Sequence, residues 1–373
     1  TETHAYNSYL SGNTGSERGI MFPTDVDDVK ITSTTNDGQI IGPGEILDSS
    51  LIAETFIWGD TGNADITIEN LTIQDFELPI GLGWNTGGGF HRTVIQNNTI
   101  ELSGDSGNAT EWLQNIAILL GAGQDQKIIN NTIVFQADGT RTEGYWGPGN
   151  GSSLGFQSNT HPGDGYDGLV FDNNIFQLAS SSNGLEKVTG IWDNHYGDGN
   201  ENDLVISNNQ FVGRSADDFD YALRLSTNNA SINNNLFTNI DLIVYNRVYG
   251  GNPNASFIFS NNNLSNVGGT DGIFLVTNMT DGTDVEENYI HWHIDNTIDG
   301  ETGIRGLNEL STQATHAIRP ESAATKIDNV MAIGTICDVY VDDSWPNTDR
   351  FSDPDGIGTG LGPMAFSYNV FDI

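Results

Sequence analysis

Cysteine, lysine and long apolar runs are all scarce in this chain. Its 373 residues include one cysteine, Cys337, so no intramolecular disulfide staples the fold. Cys337 lies in the apolar run AIGTICDVYV and reads as a small buried hydrophobe. Lysine occurs only at Lys30, Lys127, Lys187 and Lys326. Lys and Arg total 13 against 50 Asp and Glu, a formal net charge of −37. Phosphate backbones are recognised by basic surfaces, so this charge argues against nucleic acid as a partner. It also disfavours docking on an anionic membrane. The longest apolar cluster, Ile116 to Leu120, is far short of the ~18 residues a spanning helix needs, so no membrane insertion is expected. Seven scattered histidines and one cysteine make a zinc centre improbable. His291 and His293 sit at strand spacing, but no third ligand accompanies them. No phosphate-binding or dinucleotide-binding glycine motif occurs between a strand and a helix. The chain opens at Thr1 without a basic leader, so any signal peptide is expected to be removed already or to lie outside this sequence.

Asparagine and glycine are abundant instead. Asn occurs 42 times and Gly 45 times, a composition long helices rarely tolerate, so an all-α fold is excluded. Ile, Leu, Val and Phe recur in short alternating runs, which argues against disorder. An acid-rich, lysine-poor surface stays hydrated in concentrated salt, where screening removes most self-repulsion. The expected setting is therefore extracellular or at a cell surface, marine or hypersaline. The alternative is an acidic secreted protein that relieves its charge with Ca²⁺. Nine Asn-x-Ser/Thr sequons occur, at Asn70, Asn97, Asn108, Asn130, Asn150, Asn229, Asn254, Asn263 and Asn278. A sequence so rich in Asn and Thr produces sequons by chance, so glycosylation is an option only.

Internal periodicity decides the fold class. One motif recurs: apolar, any, Asn, usually Asn, any, apolar. Its copies are IENLTI (68–73), IQNNTI (95–100), IINNTI (128–133), FDNNIF (171–176), ISNNQF (206–211), INNNLF (232–237) and FSNNNL (259–264), with a degenerate VEENYI (285–290). The first Asn falls at 70, 97, 130, 173, 208, 234 and 261, with Glu287 next, giving spacings of 27, 33, 43, 35, 26, 27 and 26. A fixed core with variable spacing means one supersecondary unit per repeat, with insertions on outward loops. A second strand signal of period two falls in the intervals: NIAILLG (115–121), SSLGFQS (152–158), VTGIWDN (188–194), YALRLST (221–227), LIVYNRV (242–248) and GIFLVTN (272–278).

Over residues 60–300 the pattern resembles the right-handed parallel β-helix superfamily, the pectate-lyase-like solenoids. The resemblance implies an all-β solenoid of roughly 9 to 11 coils, on the order of 45 Å long at ~4.8 Å per coil. Asn tolerates the αL conformation that a sharp turn between strands needs, and stacked Asn side chains can bond from coil to coil as a ladder. The expected organisation is an N-terminal cap over 1–28, a β-helix over 29–300, and C-terminal coils with a β-rich cap over 301–373. MFPTDVDDVKI (21–31) reads as a leading strand, Lys326 to Val330 as one further coil and AIGTICDVYV as a long strand.

Chain length beyond a bare coil is greatest over 137–170 and 180–203, where loops carry Tyr145, Trp146, His161, Tyr166, Trp192, His195 and Tyr196. Flat aromatics beside acids suit sugar rings, which offer CH faces and hydroxyls; the competing reading packs these aromatics onto the solenoid. Trp192, Arg224, Tyr245 and Phe274 occupy comparable positions of successive second strands and are expected to form one outward row, with Arg247 nearby. A one-residue slip would turn that row inward. Glycoside hydrolysis needs two facing carboxylates, and Asp193 with Asp217, Asp218 or Asp220 are the candidates. Among polygalacturonase motifs only Asp217-Asp218 and Arg224-Leu225 are echoed here, and no Gly-His-Gly occurs. Likeness to the lyases implies Ca²⁺-binding Asp residues with Arg224 or Arg247 as base, and His195 is a further candidate base. Asp342, Asp343, Asp353 and Asp355 near flexible glycines are candidate Ca²⁺ ligands. The functional expectation is an extracellular protein that binds or cleaves polysaccharide as a lyase or hydrolase. The rival is a non-catalytic adhesin, filament or sheath subunit, or virus receptor-binding spike, self-associating through solenoid ends.

Overall fold

The computed structural model describes residues 18–22, 27–33, 38–42, 55–59, 64–76, 78–83, 89–102, 116–121, 123–135, 153–160, 166–179, 188–195, 203–214, 219, 221–225, 230–240, 242–248, 257–267, 274–278, 289–294, 297–298, 318–320 and 326–332. Every regular element among them is a strand, and none is a helix. The chain divides into two compact units, Thr1–His195 and Tyr196–Ile373.

In the first unit each coil contributes one strand to each of three parallel sheets. Sheet I runs Arg18–Phe22, Thr55–Gly59, Leu78–Leu82, Ile116–Gly121, Ser153–Thr160 and Val188–His195. Sheet II runs Lys30–Thr32, Thr67–Glu69, Val94–Gln96, Lys127–Ile129 and Val170–Asp172. Sheet III runs Gln39–Ile41, Thr72–Phe76, Thr99–Leu102, Thr132–Phe135 and Ile175–Leu178. The second unit repeats the plan with Tyr221–Leu225, Leu242–Val248, Phe274–Asn278 and Ile318–Pro320 in sheet I. Its sheet II holds Leu204–Ser207, Ala230–Asn233 and Phe257–Ser260, and its sheet III Gln210–Val212, Leu236–Ile240, Asn263–Val267 and Thr297–Ile298. Each unit is thus a parallel β-helix, and the second-strand segments of the sequence form sheet I.

The two asparagines of the repeat do different work. The first makes the corner between sheets II and III: Asn70, Asn97, Asn130, Asn173, Asn208, Asn234 and Asn261 all have φ between 54° and 58°. Asn accepts this left-handed conformation more readily than most residues, because its short side chain satisfies nearby polar groups. The second asparagine turns inward and carries the ladder. Asn98 donates from its backbone N and its Nδ2 to Oδ1 of Asn131, both at 3.0 Å. Asn131 repeats this onto Asn174, and Asn209 and Asn235 do the same in the second unit, ending on Asn262. Each Nδ2 also reaches a main-chain carbonyl, as from Asn131 to Ile95 at 2.8 Å. A buried amide left unmade costs its desolvation, so the ladder satisfies what the corner would otherwise orphan. In the first coil of the ladder Leu71 replaces Asn, and its N–H still donates to Asn98 Oδ1.

Apolar side chains fill the interior in register. Ile68, Ile95, Ile128 and Phe171 form one column of sheet II, and Ile73, Ile100, Ile133 and Phe176 one column of sheet III, all fully buried. Burying each contributes about 2 kcal/mol. In the second unit Phe211 stacks on Phe237 with ring centroids 5.1 Å apart.

The segment 21–31 is not one strand. Arg18–Phe22 belongs to sheet I and Lys30–Thr32 to sheet II, and Asp28 between them is left-handed at φ 59°. Among the described residues, parallel pairing begins at Arg18, opposite Thr55. Lys326–Ala332 does form a strand, paired with Tyr289–Ile294. That pairing is interrupted between His291 and His293, so the two do not keep simple alternate-residue spacing against their partner. Cys337 and most of AIGTICDVYV lie outside the described residues.

Candidate functional site

Sheet I differs from the other two in burial. Strands of sheets II and III alternate buried and partly exposed residues, as Thr132–Phe135 does, whereas all residues of Thr55–Gly59, Leu78–Leu82 and Ile116–Gly121 are buried. Both faces of sheet I are therefore covered. Phe156 meets Phe171 of sheet II edge-on at 4.7 Å, which fixes its side as the interior. Alternation then sends Gln157 and Trp192, which are in register, to the opposite face, and returns Ser158 and Asp193 to the interior.

On the outer face Trp58, Leu119 and Trp192 stand in one row and cluster with Leu78 and Ile116, all buried. Gly81 in the same row leaves room for the indole, because a Cβ there would come within 2.8 Å of Trp58 Cε3. Trp192 retains 8% of its exposure, so it is packed rather than presented. On the inner face Ser158 Oγ donates to Asp193 Oδ1 at 2.7 Å, and Asp193 is 1% exposed. The same row continues through Leu120 and Leu82 to Gly59, where an added Cβ would meet Phe90. A carboxylate held there by a hydroxyl satisfies a buried polar position; it does not face a groove shared with Trp192.

In the second unit Arg224 is buried at 3% exposure, and its strand pairs Arg224 with Tyr245. The next register step places Leu275 beside Tyr245, while Phe274 pairs with Val244, itself opposite Leu223. The expected outward row is therefore corrected twice: Trp192 and Arg224 are buried, and Phe274 is one residue out of line. The cause is that sheet I is buried on both faces, so its hydrophobic pattern does not fix the register by itself. Arg247 lies on the same strand, opposite Thr277, and His195 ends its strand opposite Thr160. Tyr145, Trp146, His161, Tyr196, Asp217, Asp218, Asp342, Asp343, Asp353 and Asp355 lie outside the described residues. No group of three or more His, Cys, Asp or Glu side chains able to hold a metal occurs among the described residues.

Sequence reasoning missed the charged clips on sheet II. The corner ahead of that sheet is left-handed at Asp28, Asp65, Arg92 and Asp125. Arg92 reaches back to Asp65 with both Nε and Nη2, at 2.7 and 2.6 Å. That fork pulls the Asp65 carboxyl below the usual carboxylate range and raises the guanidinium. Next to it Lys30 pairs with Glu69 at 2.6 Å, and Gln96 donates to the other oxygen at 2.8 Å. These partners, Lys30 foremost, hold the Glu69 carboxyl low as well. The signal was present in sequence: the positions two residues before the first four sheet II strands are Asp28, Asp65, Arg92 and Asp125.

Inserted chain length is also asymmetric. The corner between sheets II and III is two residues in all seven repeats, from Asn70-Leu71 to Asn261-Asn262. The connections on either side of sheet I vary instead, and include 103–115, 136–152, 179–187 and 196–203. No family model matches the chain, and no curated protein or solved structure matches it either.

Proposed function

We propose that the protein is an extracellular β-helix of the pectate-lyase-like type that binds and processes polysaccharide through the loops flanking sheet I. The observation that carries this reading is that the longest insertions fall at the two ends of the sheet I strands, while the opposite corner stays at two residues in all seven Asn repeats. Long loops on a rigid scaffold are where binding groups concentrate. The inserted stretches carry Tyr145, Trp146 and Tyr196, whose flat rings suit sugar faces. His195 in the first unit, and separately the Asp217-Asp218 pair in the second, are the acid–base candidates of this reading. Asp193 and Trp192 are buried and pack within sheet I, so this reading gives them no direct contact with glycan. A surface at −37 favours a neutral glycan, or an acidic one bridged by Ca²⁺ through the Asp-rich segments around Asp342 and Asp353. Incubation of the protein with a panel of neutral and acidic polysaccharides, with and without EDTA, tests the reading. New reducing ends or unsaturated products support it. Absence of both binding and cleavage, together with self-assembly of the protein, would replace it with the non-catalytic surface-subunit alternative.

A further inference from the structure

The II–III corner also carries sequons. Asn70-Leu71-Thr72, Asn97-Asn98-Thr99 and Asn130-Asn131-Thr132 fall in three successive coils, with the sequon Asn at the left-handed corner. The position after the ladder residue is Thr72, Thr99, Thr132, Ile175, Gln210, Leu236 and Asn263 in the seven repeats. The coil therefore accepts many residue types there, and the fold does not require Thr. Asn97 and Asn130 are both exposed, and Asn70 is half-buried. Asn130 is engaged, since its Oδ1 accepts from Asn173 Nδ2 at 2.6 Å. The Asn97 side chain makes no hydrogen bond among the described residues, and Thr99 stands partly exposed on the outer face of sheet III. Neighbouring coils are ~4.8 Å apart, too close for two bulky saccharides to leave side by side.

We propose that Asn97 is a site of N-glycosylation, and that its occupancy excludes Asn130. The donor is a saccharide linked through phosphate or pyrophosphate to a membrane lipid. The Asn97 carboxamide nitrogen attacks the anomeric carbon and loses a proton. The new C–N bond replaces the sugar–phosphate C–O bond, and the lipid-linked phosphate leaves. The glycan projects from the corner opposite the variable loops, so it hydrates the solenoid without covering the sheet I end.

The inference shares only passage through a secretory membrane with the proposed function, and its readout does not depend on any activity. The test is peptide mass spectrometry of the full chain secreted from an N-glycosylating host. The expected result is a saccharide mass on the Asn97 peptide and an unmodified Asn130 on the same molecules. Thr99→Val and Asn97→Gln should each abolish it, while Thr99→Ser retains it, with unchanged circular dichroism showing that the variants fold. An unmodified Asn97 in the secreted protein overturns the proposal, whether or not other sequons are occupied. Joint occupancy of Asn97 and Asn130 overturns the exclusion.

Discussion

Oδ1 of Asn174 accepts two hydrogen bonds from Asn131, one from the backbone N at 2.9 Å and one from Nδ2 at 3.0 Å. Asn174 in turn donates to the Ile128 carbonyl at 2.8 Å. Its neighbour Asn173 is exposed and left-handed at φ 54°. Adjacent residues of one motif therefore answer to different physics. Asn174→Ala leaves several buried groups unpaired and should cost about 2–4 kcal/mol. Asn173→Gly keeps the corner conformation and should stay within about 1 kcal/mol of wild type. Urea unfolding of both variants separates them, and equal losses would contradict the division of labour.

The Ser158–Asp193 pair bears on whether Asp193 is catalytic or structural. Ser158→Ala removes a donor from a buried carboxylate and should destabilise by about 1–3 kcal/mol. The expected readout is a lower urea midpoint. A catalytic Asp193 would instead give loss of turnover at unchanged stability when replaced by Asn.

Sheet I should be sensitive to volume on its outer face. Trp192→Ala removes the indole from the cluster with Trp58 and Leu119 and should cost about 3–5 kcal/mol. Gly81→Ala forces a methyl against Trp58 and should cost about 1–3 kcal/mol. Thermal unfolding of each variant checks both, and a neutral Trp192→Ala would mean that the residue is presented to solvent.

Glu69 makes stability pH-dependent in a defined direction. Its folded carboxyl is held low by Lys30 and Gln96, so the folded state favours the ionised form. The contribution is fully present above the unfolded value of about 4.3 and is lost as pH falls through the lower folded value. Glu69→Gln should therefore destabilise the protein at pH 7, and the difference from wild type should shrink toward zero in strong acid. Urea midpoints at the two pH values measure this. High salt should narrow the gap at pH 7, because the Lys30 side chain is exposed.

Much of the fold was legible because one residue type recurs where geometry demands it. Asn at both motif positions announced the corner and the ladder together, and the apolar residue on each side marked the interior columns. The separation of the two roles was not visible, since a left-handed backbone and an inward carboxamide both select Asn. Register in sheet I was less legible. Val244 and Phe274 pair across a sheet covered on both faces, where a one-residue shift leaves the hydrophobic pattern looking the same. Ser158 and Asp193 were hidden for another reason: 35 residues separate them, and their contact exists only once two coils are stacked.

The most direct measurement is calorimetric titration of a polysaccharide retained by the protein, compared across variants of opposite corners. The account predicts that Tyr145→Ala combined with Trp146→Ala abolishes binding, while Gln74→Ala and Glu101→Ala on the outer face of sheet III leave it unchanged. Loss of binding in the sheet III variants with binding intact in the loop variant would contradict it.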